Sequence, residues 1–131
     1  MMKNTTYLID SFAFIEFLEG NDIGRRVLDL LSDEANDILI SAISIYEIGI
    51  VVERNHGKSK MMEVVRSLTS GFHIMDITTE TSLLAIELKR EYKLPTADCL
   101  IYASAKETGA KVVSGCKHFK GIKEQVDVMI I

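Results

Sequence analysis

Five short apolar runs alternate with helical patterns along the chain, and this alternation constrains the fold more than any other feature. The runs have the length of strands and lie at 6–10, 37–41, 72–77, 111–114 and 126–131. Between them, apolar residues recur at the three- and four-residue spacing of helices. Strands that alternate with helices form a parallel sheet covered on both faces. We therefore predict an α/β fold with a central parallel sheet of about five strands.

The length and hydrophobicity of the chain favour a single domain. Its 131 residues, 47% of them hydrophobic, suffice for one compact core and are too few for two. No apolar run approaches the roughly 18 to 20 residues that cross a bilayer. Asp10 also interrupts the N-terminal apolar stretch, where a signal peptide would be purely apolar. We expect one domain over 1–131, located in the cytoplasm and not in a membrane.

Three carboxylates stand in apolar surroundings. Asp10 follows the apolar run YLI, Glu47 lies inside ISIYEIGIVV, and Asp98 lies inside TADCLIYASA. Burying a lone ionised carboxylate costs several kcal/mol or more, so each acid needs a cation, hydrogen-bond donors or access to water. All three fall where helices begin or strands end, so they could meet at one edge of the sheet. Clustered acids repel one another unless a divalent cation lies among them, and their hard oxygen ligands suit Mg²⁺ or Mn²⁺.

Each acid also has a purely structural explanation. Asp10 could cap a helix that begins near Ser11, and Asp98 falls in the first turn of a predicted helix, where the helix dipole favours an acid. Ser44 and Glu47 match an S-x-x-E capping box. For any one acid alone, capping is the commoner explanation. The three acids taken together favour a metal site.

The ordered segments YLIDSFAFIEFLEG, ISAISIYEIGI and LPTADCLIYASAKETGAKVVSGCKHFKGI resemble the PIN domain family, and in particular its VapC-like ribonuclease toxins. The likeness covers nearly the whole chain. The resemblance implies a three-layer α/β/α sandwich, RNA cleavage that depends on Mg²⁺ or Mn²⁺, homodimerisation, and inhibition by a small antitoxin protein. By position, it assigns the catalytic and metal-binding roles to Asp10, Glu47 and Asp98. Ser11 matches the small hydroxyl residue that often follows the first acid.

The family pattern has a fourth acid, and this chain carries Cys116 at that position. The replacement removes a negative charge, so a second ion should bind more weakly. Cys116 could be a ligand, together with the nearby His118, for a softer metal, or it could be inert or inactivating. Two hypotheses follow for the chain. It is either a metal-dependent endoribonuclease, the toxin of a toxin–antitoxin pair, or a weakened or inactive PIN-like module that binds RNA or protein.

Attraction for RNA must come from a local patch or from bound cations, because the net charge of the chain is −4. Lysines crowd the segment 106–123, which the resemblance places at the rim of the metal site; they are Lys106, Lys111, Lys117, Lys120 and Lys123. A solvated surface explains the same lysines equally well. Our candidates for contacts with RNA are Ser11, Lys117, His118 and Lys120.

Large apolar residues on the predicted helices exceed what one small sheet obviously needs. They include Phe14, Phe17, Leu18, Met61 and Met62. Most such residues belong to a core. Some of these could instead serve a second copy of the chain or an antitoxin helix.

Overall fold

The computed structural model describes residues 5–115, 122 and 125–131. Within this part of the chain, five strands alternate with six helices. The strands are β1 (Thr5–Ile9), β2 (Asn36–Ser41), β3 (His73–Met75), β4 (Lys111–Ser114) and β5 (Val128–Ile130). The helices are α1 (Ser11–Glu19), α2 (Asp22–Ser32), α3 (Ala42–His56), α4 (Lys58–Gly71), α5 (Thr79–Tyr92) and α6 (Thr96–Thr108). All five predicted strands are present, with β3 and β5 shorter than predicted.

The strands form one parallel sheet with the order β3-β2-β1-β4-β5. From β1 the chain builds the sheet to one side through β2 and β3, and to the other side through β4 and β5. The strand order therefore reverses between β1 and β4. In sheets of this kind, ligands bind in the crevice beyond the carboxyl ends of the strands at such a reversal. Asp10 follows β1 directly and Gly115 follows β4, so these two residues mark the crevice.

Successive residues of β1 face opposite layers of helices. Leu8 packs with apolar residues of α5 and α6, while Ile9 packs with residues of α1, α3 and α4, and both are fully buried. Burying a Leu or Ile side chain contributes about 1.5 to 3 kcal/mol relative to leaving it exposed. The sheet therefore lies between two helical layers, which confirms the predicted α/β/α sandwich. In the described residues, no helix is long and apolar enough to cross a membrane.

Gly24 allows α1 and α2 to approach each other closely. A Cβ atom at this position would lie 2.2 Å from the carbonyl oxygen of Glu16 and 2.9 Å from the Cα atom of Phe17. Both are backbone atoms, so a larger residue could fit only if one helix moved. The close approach therefore helps to fix α1, the helix that begins immediately after Asp10.

Candidate active site

Asp10 joins the end of β1 to the start of α1. Its backbone N–H donates to the carbonyl oxygen of Val113 in β4 at 3.0 Å, so the residue stays attached to the sheet. Its side-chain Oδ1 accepts a 2.8 Å hydrogen bond from the N–H of Ala13, which caps the helix. Ser114, at the end of β4, adds a side-chain hydrogen bond to the same carboxylate. The capping role expected for Asp10 is present, and the carboxylate also belongs to the crevice between β1 and β4.

The surroundings of Asp10 disfavour its negative charge. The residue is only 7% exposed, and burial raises the pKa of its carboxyl group from 3.8 to about 6. The hydrogen bonds from Ser114 and Ala13 oppose this rise in pKa, whereas the charges of Asp98 and Glu47 add to it. Both acids therefore lie near enough to act on Asp10. The fold brings the three predicted acids to the same end of the sheet.

Glu47 has no capping role, so the capping-box explanation is wrong. Helix α3 begins at Ala42, and its cap is Ser41, whose Oγ accepts a 3.3 Å hydrogen bond from the N–H of Ile43. Ser44 and Glu47 consequently lie inside the helix. Glu47 Oε1 instead accepts a 2.5 Å hydrogen bond from the hydroxyl of Ser11 at the start of α1. The half-buried carboxylate of Glu47 is thus held by a residue that neighbours Asp10.

Asp98 lies in the first turn of α6, as predicted. Pro95 precedes this helix and Gly109 ends it in a left-handed conformation with φ of 73°. An acid in the first turn is stabilised by the positive end of the helix dipole. The helix dipole favours an acid at this position, and the charge of Asp98 also contributes to the raised pKa of Asp10. A helix-terminal role and a role in the site are therefore compatible.

Ser114 is a site residue that the sequence analysis did not single out. It is fully buried at the end of β4 and bonds to the carboxylate of Asp10. The segment VVSGC could have indicated this role, because its serine is a hydroxyl residue at the end of a predicted strand. Ser11, which was predicted to contact RNA, is 8% exposed, and its hydroxyl donates a hydrogen bond to Glu47. Its contact with RNA stays a prediction.

The three acids suit a hard divalent cation by their chemistry. Carboxylate oxygens are the preferred ligands of Mg²⁺ and Mn²⁺, and the mutual repulsion around Asp10 is what a cation would relieve. Within the described residues, neither Asp10 nor Glu47 forms an ion pair. In the same part of the chain, no group of three or more Asp, Glu, His or Cys side chains forms a ready-made metal cage. The donor set therefore fits the ion, while Glu47 is turned towards Ser11.

Several predicted site residues lie outside the described residues. They are Cys116, Lys117, His118, Lys120 and, from the wider lysine patch, Lys123. Two lysines of the patch are described, and the expectation that they rim the acids is wrong. Lys111 begins β4, at the opposite end of the strand from Ser114. Lys106 lies in the last turn of α6, whereas Asp98 lies in the first, and its ammonium group donates to Gln125.

Comparison with known proteins identifies the family. The model of the PIN domain matches residues 7–124, and the chain therefore belongs to the PIN domain family. The fold matches a toxin–antitoxin complex from Klebsiella pneumoniae, with a TM-score of 0.74, 23% identity, and coverage of 94% of this chain and 95% of the other. A comparison with curated proteins finds no significant match.

Two further structures share the fold. DNA-bound VapBC from Salmonella typhimurium has a TM-score of 0.78 and 17% identity, and the match covers 96% of this chain and 98% of the other. VapC20 from Mycobacterium tuberculosis, a toxin that cleaves the sarcin–ricin loop, has a TM-score of 0.65 and 15% identity, with coverage of 81% and 86%. At these identities the likeness shows a common fold, and the roles of individual residues must be argued from this chain.

Proposed function

We propose that this chain is a divalent-metal-dependent endoribonuclease with Asp10, Glu47 and Asp98 as its catalytic and metal-binding acids. The observation that carries the proposal is the buried carboxylate of Asp10, whose pKa is raised to about 6 by burial and by the charges of Asp98 and Glu47. A bound Mg²⁺ or Mn²⁺ would make water more acidic and offset charge on a phosphodiester. The proposed reaction is hydrolysis of RNA, and it needs no covalent nucleophile from the protein.

The residues around the acids have supporting roles in this proposal. Ser114 and the N–H of Ala13 hold the Asp10 carboxylate, and Ser11 holds Glu47. The first turn of α6 favours the charged form of Asp98 through its dipole. Hydrogen bonds thereby hold the carboxylates of Asp10 and Glu47 in place near the end of β1. Such fixed positions reduce the reorganisation needed when a cation and a phosphate enter.

The structural neighbours support a role as the toxin of a toxin–antitoxin pair. One of them is a toxin–antitoxin complex, one is DNA-bound VapBC, and one is a toxin that cleaves the sarcin–ricin loop. We extend this role to the present chain as a single PIN-like domain in the cytoplasm, with RNA as substrate and a small antitoxin as partner. The test is neutralisation, in which co-expression of the antitoxin from the neighbouring reading frame would remove both growth inhibition and cleavage.

Exposed apolar surface supports binding of a second protein chain. Tyr46 on α3 is 65% exposed, and Leu83 and Ile86 on α5 are 59% and 57% exposed. A largely apolar cavity of about 460 Å³ lies between α5 and α6, with Ile86 in its lining. Leu83 and Ile86 are three positions apart on one helix and so can form one apolar patch, and such patches mark interaction sites on soluble proteins. We propose a homodimer, and the molecular mass in solution would test it, with Leu83→Asp and Ile86→Asp expected to give a monomer.

Among the apolar helix residues considered from the sequence, Phe14 belongs to the core at 1% exposure. Leu18 and Met62 are 41% and 39% exposed, so they remain candidates for contact with a partner.

Cleavage of single-stranded RNA tests the enzymatic proposal. The protein with Mn²⁺ should cleave a mixed-sequence RNA, and EDTA should stop the reaction. Asp98→Asn should lower the rate by at least about 100-fold, because it removes one of three charges that hold the ion. Asp29→Asn, an exposed acid on α2, is the matched control and should retain the rate. Equal rates for the two variants would contradict the assignment of Asp98.

The second candidate is a weakened or inactive PIN-like module that binds RNA or protein. The presence of Cys116 in place of the family's fourth acid favours it. An inactive module that binds RNA would do so without cleavage at any Mn²⁺ concentration, and a weakened one would bind RNA and cleave it only slowly. Binding with no turnover would therefore select the second candidate over the first.

A further inference from the structure

Phe12 is a large apolar side chain that is partly open to water and lies two residues after Asp10. It is the second residue of α1, directly after Asp10 and Ser11, and it is 43% exposed. Two positions further on, Phe14 is 1% exposed and makes edge-to-face contacts with Phe17 and Phe72. The fold thus buries one phenylalanine of the segment SFAF and leaves the other at the mouth of the crevice. Core packing does not account for an aromatic residue at that place.

The ring of Phe12 rests on the backbone of Gly115. A Cβ atom at position 115 would lie 2.0 Å from Cε1 and 2.2 Å from Cδ1 of the ring, so only glycine leaves room for it. Gly115 follows Ser114 at the end of β4, and Asp10 is bonded to both Ser114 and Val113. The ring therefore lies against Gly115, where β1 and β4 end. The preceding residue, Ser114, is a hydrogen-bond partner of Asp10. The Phe12 ring is thus held by its contact with Gly115, while part of the side chain stays exposed to solvent.

We propose that Phe12 stacks against an unpaired base of the RNA, in a nucleotide that flanks the scissile phosphate. This inference rests on the proposed ribonuclease function and names a contact that binds its substrate. Stacking needs no positive charge, so it can hold RNA on a chain with a net charge of −4 and at an edge rich in acids. Every base has a flat face, so the contact gives affinity with little sequence preference and requires single-stranded RNA.

Kinetics on single-stranded RNA with Mn²⁺ test the contact. Phe12→Ala should lower kcat/KM roughly tenfold, mainly through a higher KM, because loss of one stacked base weakens binding by about that factor. Phe12→Trp should keep the wild-type KM. Leu28→Ala, which removes an apolar side chain of 47% exposure on α2, is the matched control and should change neither constant. Thermal unfolding would verify that each variant is folded.

Abasic substrates separate stacking from a structural effect. After the cleavage position is mapped, each flanking nucleotide is replaced in turn by an abasic one. For the wild type, one replacement should raise KM roughly tenfold. For Phe12→Ala, the same replacement should have no further effect, because the partner of that base has gone. A structural role of Phe12 would leave the abasic penalty equal in the two proteins.

Gly115→Ala tests the support beneath the ring. The new methyl group must displace the ring, so KM should rise as in Phe12→Ala. In the double variant Phe12→Ala/Gly115→Ala, the methyl group meets no ring, so the two losses should not add. A normal KM for Gly115→Ala would count against the fixed ring position on which the proposal depends.

The outcomes distinguish this inference from the proposed function. If the wild type cleaves RNA and Phe12→Ala does so with an unchanged kcat/KM, the stacking contact is wrong and the ribonuclease proposal stands. If Phe12→Ala alters only the oligomeric state, Phe12 belongs to a protein interface and the stacking contact is again wrong. If the wild type neither binds nor cleaves RNA with Mn²⁺, both proposals fail.

Discussion

The hydroxyl of Ser11 donates a 2.5 Å hydrogen bond to Oε1 of Glu47, a residue 36 positions further along the chain. The bond joins the first turn of α1 to the interior of α3. Ser11 is buried and Glu47 is half-buried, so the pair is shielded from bulk water on one side. The residue beside the first acid thereby sets the orientation of the second.

Removing this hydroxyl should impair activity more than folding. We expect Ser11→Ala to lower kcat about tenfold, because the Glu47 carboxylate loses the donor that orients it, and to destabilise the fold by about 1 kcal/mol. Ser11→Thr keeps a hydroxyl and should retain most of the rate. Cleavage kinetics and urea unfolding measure the two effects. The control is Ser67→Ala, which removes an exposed hydroxyl on α4; a tenfold loss there as well would mean that the Ser11 effect is not specific.

Neutralising Asp10 should stabilise the metal-free protein at neutral pH. Its pKa is 3.8 ordinarily and about 6 in the fold, so between pH 4 and 6 the folded state holds a proton that the unfolded chain has released. Stability therefore falls as pH rises through this window, by up to about 3 kcal/mol. Asparagine at position 10 keeps a side-chain oxygen that can cap α1 but does not ionise. Asp10→Asn should therefore not lose stability over this pH range.

Urea unfolding in EDTA as a function of pH measures the effect. Asp10→Asn should exceed the wild type in unfolding free energy at pH 7, and the two proteins should converge below about pH 4. The exposed control Asp29→Asn should follow the wild type throughout. A wild type that is equally stable or more stable than Asp10→Asn at pH 7 would contradict the electrostatic picture of the site.

Divalent cations should reverse this order of stability. A cation that binds the folded acids stabilises the protein by about 2.7 kcal/mol at 100 times its dissociation constant. Mn²⁺ should therefore raise the melting temperature of the wild type and of Asp29→Asn by several degrees, and that of Asp10→Asn by much less. Thermal unfolding with and without Mn²⁺ measures this. Equal shifts for all three proteins would place the bound ion elsewhere.

Introducing a fourth acid tests the role of position 116. Cys116→Asp adds a carboxylate where the resemblance to the family implies one, so we expect tighter Mn²⁺ binding and faster cleavage. Cys116→Ser is the matched control, since it changes the thiol without adding charge. Titration with Mn²⁺ and RNA cleavage give the two measurements. If all three proteins behave alike, position 116 has no share in the site.

Filling the space at Gly24 should destabilise the fold. Gly24→Ala forces its methyl group against the backbone of Glu16 and Phe17, and we expect a loss of about 1 to 3 kcal/mol. At Gly71, the last residue of α4, an added Cβ meets nothing within 4 Å, so Gly71→Ala should be neutral or slightly stabilising. Urea unfolding of both variants measures the difference, and equal stabilities would show that α1 and α2 can separate at little cost.

Local signals in the sequence predicted the framework well. Pro95 and Gly109 bound α6, because the fixed φ of proline suits a helix start and glycine accepts the left-handed conformation at its end. The apolar runs predicted the strands, because their hydrophobic pattern is a local property. Asp10 was correctly placed between strand and helix for the same reason.

Long-range contacts were beyond the reach of these signals. Ser44 and Glu47 match a capping box, yet Ser41 takes the cap because β2 ends there and the helix begins one residue later. Two contacts depend on how separate elements pack: the hydrogen bond from Ser11 to Glu47 and the contact of the Phe12 ring with Gly115. The spacing of residues along the chain does not predict such contacts. The three acids could be named as candidates from the sequence, whereas the hydrogen bonds that hold Asp10 and Glu47 could not be predicted.

The strand order β3-β2-β1-β4-β5 places β1, the first strand of the described residues, at the centre of the sheet, and pairs its free side with a strand that begins only at Lys111. Asp10 receives its bonds from Val113 and Ser114 only after that late strand has docked. During synthesis, Asp10 and Glu47 are therefore present well before the crevice that holds Asp10 is complete. Under the function proposed above, cleavage would begin only after β4 has docked, when the proposed antitoxin, translated alongside, can already be present.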